Sequence, residues 1–132
     1  VEQVPHEHVN RYGVVALGET FNERTKAITA MVEKPKIEDA PSDLIISGRY
    51  VLQPEIFTKL SQQKPGAGNE IQLTDSMIEL LADQPFFAYE FDGKTYDCGD
   101  KSGYLAANVA YALDRPDIGP KFRPVLAELT KR

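Results

Sequence analysis

An acid and a base stand side by side where an apolar segment ends, at Glu33 and Lys34 in the sequence MVEKPK. The preceding residues, 27–32, are small, apolar or β-branched, which favours a strand, and Pro35 ends it because proline has no backbone N–H. In α/β proteins, ligands gather beyond strand ends, where a lysine can bind a phosphate and a carboxylate can accept hydrogen bonds from sugar hydroxyls. The alternative is a solvated surface ion pair, a common feature that contributes little.

A second candidate site lies in the sequence YDCGD. Asp97 precedes a glycine turn that leads into a predicted helix, and a carboxylate in that place can face a phosphate that carries Mg²⁺. The alternative is a turn-stabilising side chain. Asp100, three residues later, is predicted to cap the helix that begins near Lys101.

The remaining reactive residues indicate no further chemistry. His6 and His8 have no third metal ligand nearby in the sequence and are expected to be exposed. Cys98 has no histidine close to it in the sequence, which disfavours a thiol nucleophile. The glycine loop KPGAGNE lacks the Gly-Lys-Ser/Thr ending of a P-loop.

Composition places the chain among ordinary globular proteins. It has 132 residues, of which 42% are hydrophobic and 27% charged, and its net charge of −5 is spread over interspersed acids and bases. Nucleic-acid binding is disfavoured because it normally requires a basic face, and no apolar run reaches the ~20 residues of a membrane helix. One cysteine excludes an internal disulfide and is typical of a reducing cytoplasm, so we expect a cytoplasmic protein without a membrane partner.

Patterning predicts the elements that position these residues. Two β-rich segments, 11–17 and 27–33, are separated by a polar loop and predict an antiparallel hairpin. The run 44–52 predicts a strand buried on both faces, and 85–91 predicts another strand, with a short strand end at 95–100. Helices are predicted after Pro54, after an N-cap at Thr74, over 101–113, and after Pro124. The residues of the third helix that are predicted to face inward are Leu105, Val109, Ala112 and Leu113. Residues 1–10 are expected to be a connecting segment. The mixture is α/β.

Several motifs in succession resemble bacterial UTP–glucose-1-phosphate uridylyltransferases. They are YGVV, VEKP, GRYVL, KPGAGNEIQLTD, YDCGDKSGY and ANVAYAL, and the resemblance runs from about residue 11 to about residue 119. VEKP occurs across sugar-phosphate nucleotidyltransferases, whereas PGAGNEIQLTD followed by DCGDKSGY is narrower and indicates the uridylyl branch. The resemblance is to the C-terminal half of these enzymes.

The resemblance implies a role for four residues. Gly13 would let its backbone approach the sugar, Glu33 would accept hydrogen bonds from glucose hydroxyls, and Lys34 would bind the sugar phosphate and act in catalysis. Asp97 occupies the position where related enzymes place a second aspartate that faces the metal. The implied substrates are UTP and glucose-1-phosphate, and the implied cofactor is Mg²⁺.

The resemblance also implies an architecture. We expect residues 1–132 to be a single domain, the sugar-phosphate side of a Rossmann-like nucleotide-diphospho-sugar transferase fold, with a mixed sheet flanked by helices. The nucleotide-binding N-terminal half would be absent, so the chain by itself would be inactive, and the full-length protein would form a homo-oligomer. Two alternatives remain open, a thymidylyl-type transferase and a non-catalytic oligomerisation or regulatory domain of the same fold.

Overall fold

A computed structural model describes residues 1–66 and 69–131 of the chain. These residues form two compact units, Val1–Asp92 and Gly93–Arg132. The single domain expected for residues 1–132 stays a prediction, because compactness does not show whether either unit folds independently. No helix in the described ranges is long and apolar enough to cross a membrane.

The first unit is built on a five-stranded sheet. Its strands, in the spatial order β1-β4-β2-β3-β5, are β1 (Glu2–Gln3), β2 (Gly13–Thr20), β3 (Thr25–Glu33), β4 (Leu44–Ile45) and β5 (Phe86–Tyr89). The α/β class is confirmed. The sheet is not mixed, however, because all four strand pairings in the described part are antiparallel. β3, for example, lies between β2 and β5, and both of these strands run opposite to it.

The predicted hairpin is formed by β2 and β3. Its turn is closed by the Asn22 side chain, whose Oδ1 accepts hydrogen bonds from the backbone N–H groups of Arg24 and Thr25 at 3.0 and 2.9 Å. At the opposite end of the hairpin, Gly13 pairs with Glu33. The turn and the register together place the glycine of YGVV directly across from the acid of VEKP.

The long strand predicted over residues 44–52 was wrong. Only Leu44 and Ile45 are in a strand, because the neighbouring β2 begins at Gly13 and offers one further bond, from the Ile46 N–H to the Gly13 carbonyl at 2.8 Å. Beyond it, Gly48 takes a left-handed backbone conformation (φ 81°) and Val51 is fully exposed. Beyond Ile46 the apolar run therefore has no strand to pair with, and it does not continue in the sheet.

Apolar residues cover both faces of the sheet. One face packs against α1 (Ile56–Gln62) and α2 (Leu73–Leu81), and its buried cluster consists of Val15, Met31, Ile56, Met77 and Leu80. On the other face, Val9 is fully buried with Val14 and Ile45. Residues 1–10 are therefore not merely a connection, because they contribute β1 and a 3-10 turn that carries Val9.

The predicted N-cap of α2 was also wrong. The capping position is Gln72, whose backbone is extended, and Thr74 lies inside the first turn of the helix. Leu73 is drawn into the helix because it packs against the buried cluster, which moves the helix start upstream of the threonine.

The second unit contains two helices, α3 (Lys101–Asp114) and α4 (Gly119–Leu129). The predicted cap of α3 is confirmed, since the Asp100 carboxylate accepts the Gly103 N–H at 2.8 Å. Three other expectations were wrong: no strand forms over 95–100, Leu105 is 64% exposed, and α4 begins before Pro124. Pro120 starts that helix in its first turn, where proline is favoured, and Pro124 is then accommodated one turn later.

Candidate functional site

At the start of β2, the missing side chain of Gly13 leaves a small space, called the Gly13 space below. Polar groups from β3 and α2 border this space. Paired residues of an antiparallel ladder direct their side chains to the same face, so the missing side chain of Gly13 lies beside that of Glu33. A methyl group added to Gly13 would lie 3.0 Å from Glu33 Oε2, 3.1 Å from Thr74 Oγ1 and 3.1 Å from Ile46 Cδ1. All three contacts are tight, so the space holds no larger residue without displacing a neighbour.

Glu33 is largely withdrawn from solvent. Its side chain is 11% exposed, and the closest cation is the Lys34 ammonium, with Nζ 3.9 Å from Oε1. That separation is too long for a hydrogen bond. In the described part of the chain, the Glu33 carboxylate has no other ion pair. A solvated surface acid would not be withdrawn in this way, so the surface-pair interpretation does not describe Glu33.

Lys34 combines an exposed side chain with an unusual backbone. Its side chain is 44% exposed, which leaves the ammonium accessible to a ligand. Its φ angle is 47°, a left-handed conformation that costs a non-glycine residue about 1 kcal/mol or more. The residue before a proline also prefers extended backbone. The conformation is held by a hydrogen bond from the Lys34 N–H to the Tyr12 carbonyl at 3.0 Å, and strain of this kind concentrates at functional sites.

Tyr50 lies within the electrostatic reach of Glu33. Partial burial raises the pKa of the Tyr50 phenol, and the negative charge of Glu33 raises that pKa further. The phenol therefore stays protonated near neutral pH and can donate a hydrogen bond. No sequence pattern marks Tyr50, because the run 44–52 that contains it predicts a buried strand.

Thr74 also lies in surroundings that its sequence pattern does not predict. It was predicted to be a helix cap, yet its hydroxyl borders the Gly13 space on the same side as Glu33. Sixty-one positions in the sequence separate Gly13 from Thr74, and no local pattern links them. Only the packing of α2 against the sheet brings the two together.

Asp97 lies in the second unit, in the turn before α3. Its Oδ1 accepts the Gly99 N–H at 2.9 Å, and its carbonyl accepts the Asp100 N–H at 3.3 Å. The turn is compact, since a methyl group at Gly103 would collide with the Asp97 carbonyl. Asp97 thus has the turn-stabilising contact that the sequence allowed, and its role toward a metal stays a prediction.

The described residues contain no group of three or more His, Cys, Asp or Glu side chains able to hold a metal ion. His6 forms an exposed ion pair with Asp43, with Nδ1 2.7 Å from Oδ1, and Cys98 is exposed. In the first unit, the candidate site residues that lie close together are Gly13, Glu33, Lys34 and Thr74.

Comparison with known proteins places this geometry in a family. Residues 1–113 match the family described as "Nucleotidyl transferase". The chain belongs to this family. The match includes both segments with candidate site residues, at Gly13–Lys34 and at Asp97.

The curated relatives that the chain matches are named as uridylyltransferases. The chain is 46% identical over 131 residues to UTP–glucose-1-phosphate uridylyltransferase 2 of Streptococcus pyogenes serotype M3, and 47% identical to a UTP–glucose-1-phosphate uridylyltransferase of Streptococcus pyogenes. Each alignment includes 99% of the chain, but only 44% and 43% of the respective relative. The chain therefore spans less than half the length of these proteins, and its assignment to their C-terminal half stays a prediction.

Solved structures give the same relationship. A UDP-glucose pyrophosphorylase complexed with UDP-glucose matches with a TM-score of 0.80 and 48% identity over 86% of the chain. A UTP-bound pyrophosphorylase from Acinetobacter baumannii matches with a TM-score of 0.81 and 40% identity over 97% of the chain. The chain spans 43% and 44% of these two structures.

Proposed function

We propose that this chain supplies the sugar-phosphate side of the active site of a UTP–glucose-1-phosphate uridylyltransferase. The observation that carries the proposal is the withdrawn Glu33 carboxylate beside the Gly13 space, with an exposed Lys34 ammonium next to it. The names of the relatives support the choice of uridylyl transfer and glucose-1-phosphate within the family.

The site residues divide the work between sugar and phosphate. Glu33 accepts hydrogen bonds from hydroxyls of the glucose ring, which can approach the backbone beside the Gly13 space because Gly13 has no side chain there. Lys34, a compact positive charge at the mouth of that space, binds the phosphate of glucose-1-phosphate. Its backbone conformation directs the side chain out of the strand. The ammonium therefore lies near Glu33 but does not form a close ion pair with it.

The reaction needs positioning and charge compensation more than covalent help from the protein. An oxygen of the glucose-1-phosphate phosphate attacks the α-phosphorus of UTP, and a new P–O bond forms. The bond from the α-phosphorus to the oxygen bridging to the β-phosphate breaks, and pyrophosphate leaves with that electron pair. Lys34 aligns the attacking phosphate and reduces its repulsion from the triphosphate.

Asp97 is the residue of this chain that we propose to face Mg²⁺. Mg²⁺ in nucleotide sites is bound by one or two carboxylates together with substrate phosphates, so a single aspartate fits the requirement even though the described residues contain no cluster of ligands. The Gly99 N–H fixes the Asp97 carboxylate through one of its two oxygens. The metal, when bound, supplies charge neutralisation for the phosphates.

We also propose a cytoplasmic location and a homo-oligomer. The location rests on the single exposed cysteine, which is compatible with a reducing compartment. The oligomer rests on the resemblance stated above. Size-exclusion chromatography with light scattering on the full-length protein tests it, and a monomer would contradict it.

The proposed function is tested on a protein of the relatives' full length that carries this chain. We expect UDP-glucose and pyrophosphate to form from UTP and glucose-1-phosphate, and dTTP to be a much poorer substrate. A preference for dTTP would favour the thymidylyl type, and the absence of any transfer with intact folding would favour a non-catalytic domain.

Lys34→Ala is the variant that links the activity to the proposed site. We expect a loss of kcat of roughly 10²-fold or more, the size found when one preorganised charge contact is removed. Lys36→Ala is the matched control, because Lys36 is also exposed and lies only two residues away. Equal kinetics for the two variants would remove Lys34 from the site.

A further inference from the structure

Helix α3 exposes an apolar stripe to solvent. Tyr104, Leu105 and Tyr111 are 54%, 64% and 68% exposed, and with Asn108 they lie on one face of the helix, because side chains three, four and seven positions apart share a face. We call these four residues the α3 stripe. Between its first and last residues, α3 carries no charged side chain. An exposed surface that is rich in tyrosine and depleted of charge has the composition of the centre of a protein–protein interface.

The two charges that end α3 oppose the dipole of their own helix. Lys101 lies in the first turn and Asp114 in the last, whereas a helix favours acids at its N-terminus and bases at its C-terminus. About 20 Å of helix separates the two residues, so they do not pair within one chain. The base that follows, Arg115, is bound to Asp117 by two hydrogen bonds of 2.9 and 2.7 Å. Within one copy, neither end charge is favourably placed relative to the helix.

A second copy of α3, packed antiparallel, places both charges favourably. In a pair related by a twofold axis, positions at equal distances from the axis lie opposite each other. With the axis at the midpoint of α3, the Lys101 end of one helix lies beside Asp114 of the partner subunit. The same register places Tyr104 opposite the partner's Tyr111, because both pairs are centred on that midpoint. Each charge then lies beside the end of the partner helix dipole that attracts it, and the aromatic rings meet across the axis.

From this self-complementarity we infer that the α3 stripe is a contact surface between two copies of the protein, packed antiparallel about a twofold axis at the midpoint of α3. The inference rests on the homo-oligomer proposed above and assigns a surface to it. The polar member of the stripe, Asn108, is compatible with burial in such a contact, because its Nδ2 already donates a hydrogen bond to the Tyr104 carbonyl at 2.7 Å.

The first test places a charge in the stripe of the full-length protein. Leu105→Glu buries an unpaired carboxylate in the contact, and we expect it to raise the dissociation constant of the oligomer at least about 100-fold. Val125→Glu, which alters a half-exposed apolar residue of α4, is the matched control and should leave association unchanged. Sedimentation velocity over a range of protein concentrations measures the dissociation constant, and circular dichroism shows that each variant is folded. Association that Leu105→Glu leaves intact would overturn the inference.

The second test exchanges the end charges. Lys101→Asp and Asp114→Lys each suit the dipole of their own helix better, so weaker association is not a result of a less stable helix. We expect each single variant to raise the dissociation constant about tenfold, since it places like charges together across the axis. The double variant should return to within about threefold of wild type.

The outcomes of the charge exchange separate this inference from the proposals on which it rests. Single variants that associate like wild type, or a double variant that does not recover, would overturn the α3 contact and leave a homo-oligomer formed through another surface. A monomeric wild type would overturn both. The proposed function fails separately, when an associated wild-type protein forms no UDP-glucose.

Discussion

At the scale of single residues, the candidate site depends on two charged side chains, Glu33 and Lys34, that differ in their exposure to solvent. Glu33 is withdrawn from solvent and Lys34 is exposed, although they are adjacent in the sequence. The difference arises because Glu33 is the last residue of β3 and faces the Gly13 space, whereas the backbone of Lys34 turns away with a positive φ. One residue can therefore serve the sugar and its neighbour the phosphate.

Glu33→Gln tests sugar recognition without altering shape. The amide keeps one acceptor oxygen and replaces the other by donors, so one hydroxyl contact is lost. We expect the KM for glucose-1-phosphate to rise by about tenfold or more and the KM for UTP to stay within about twofold. A parallel loss for both substrates, accompanied by a lower melting temperature, would mean that Glu33 supports the fold.

The backbone of Lys34 gives a prediction about stability. Lys34→Gly and Lys34→Ala both remove the ammonium, but only glycine adopts φ 47° without steric cost. We expect the glycine variant to be more stable than the alanine variant by about 1 kcal/mol, and both to lose activity equally. Chemical denaturation measures the free energy of unfolding, and equal stability of the two variants would show that the conformation carries no strain.

Asp97→Asn distinguishes a metal role from a turn role. Asparagine keeps the acceptor for the Gly99 N–H and removes the charge. For a residue that faces Mg²⁺, we expect a sharp fall in activity, a higher Mg²⁺ concentration at half-maximal rate and a nearly constant melting temperature. Asp100→Asn is the control, since asparagine caps helices well. If the Mg²⁺ concentration at half-maximal rate were unchanged, Asp97 would not be a residue that faces the metal.

At the scale of elements, the turn before α3 is as tightly built as the hairpin end. Gly103 donates its N–H to the Asp100 carboxylate, and a methyl group added to its Cα would collide with the Asp97 carbonyl. The start of α3 and the Asp97 turn are thus in close contact at a single glycine, Gly103. Any side chain at that position must move the turn.

Gly103→Ala should therefore destabilise the protein although alanine favours helices. The added methyl group would collide with backbone, which cannot rotate away, and we expect a loss of about 2 kcal/mol, within the range found for overpacked sites. Thermal unfolding compared with Ser102→Ala, an exposed neighbour, measures it. A variant as stable as Ser102→Ala would show that the turn adapts freely.

At the scale of the whole molecule, the described residues form two compact units, and the chain spans about 44% of its curated relatives. The first unit carries Gly13, Glu33, Lys34 and Thr74, and the second carries Asp97. No segment resembling a triphosphate-binding loop occurs in the sequence, since the glycine loop lacks the residues that cradle phosphates. Because the chain spans under half the length of its curated relatives, we expect the proposed activity to need more of the protein than this chain.

We expect the purified 132-residue chain to form no UDP-glucose from UTP and glucose-1-phosphate. Circular dichroism must first show that the chain is folded, so that inactivity is not a result of unfolding. Product formation above that of a Lys34→Ala sample prepared in the same way would contradict the prediction. The paired sample also excludes activity from a contaminating host enzyme.

The sequence alone determined the features that depend on local pattern. Alternating β-rich runs predicted the β2–β3 hairpin, apolar spacing predicted α1 and α3, and Asp100 was recognised as a cap from its place before a helix. Glu33 and Lys34 were identified because an acid and a base before a proline at a strand end have a clear chemical use. The motifs also indicated the family.

Only the tertiary structure decided which residues meet. β4 is short because its neighbour β2 begins at Gly13 and has no earlier residue to pair with, a property of the neighbour and not of the apolar run 44–52. Thr74 borders the Gly13 space because burial of Met77 and Leu80 docks α2 on the sheet. Local propensity acts over a few residues, whereas burial and strand pairing join positions far apart in the sequence. The sugar-side space depends on the second kind of interaction, and for that reason one of its four residues was assigned to a helix cap until the packing was known.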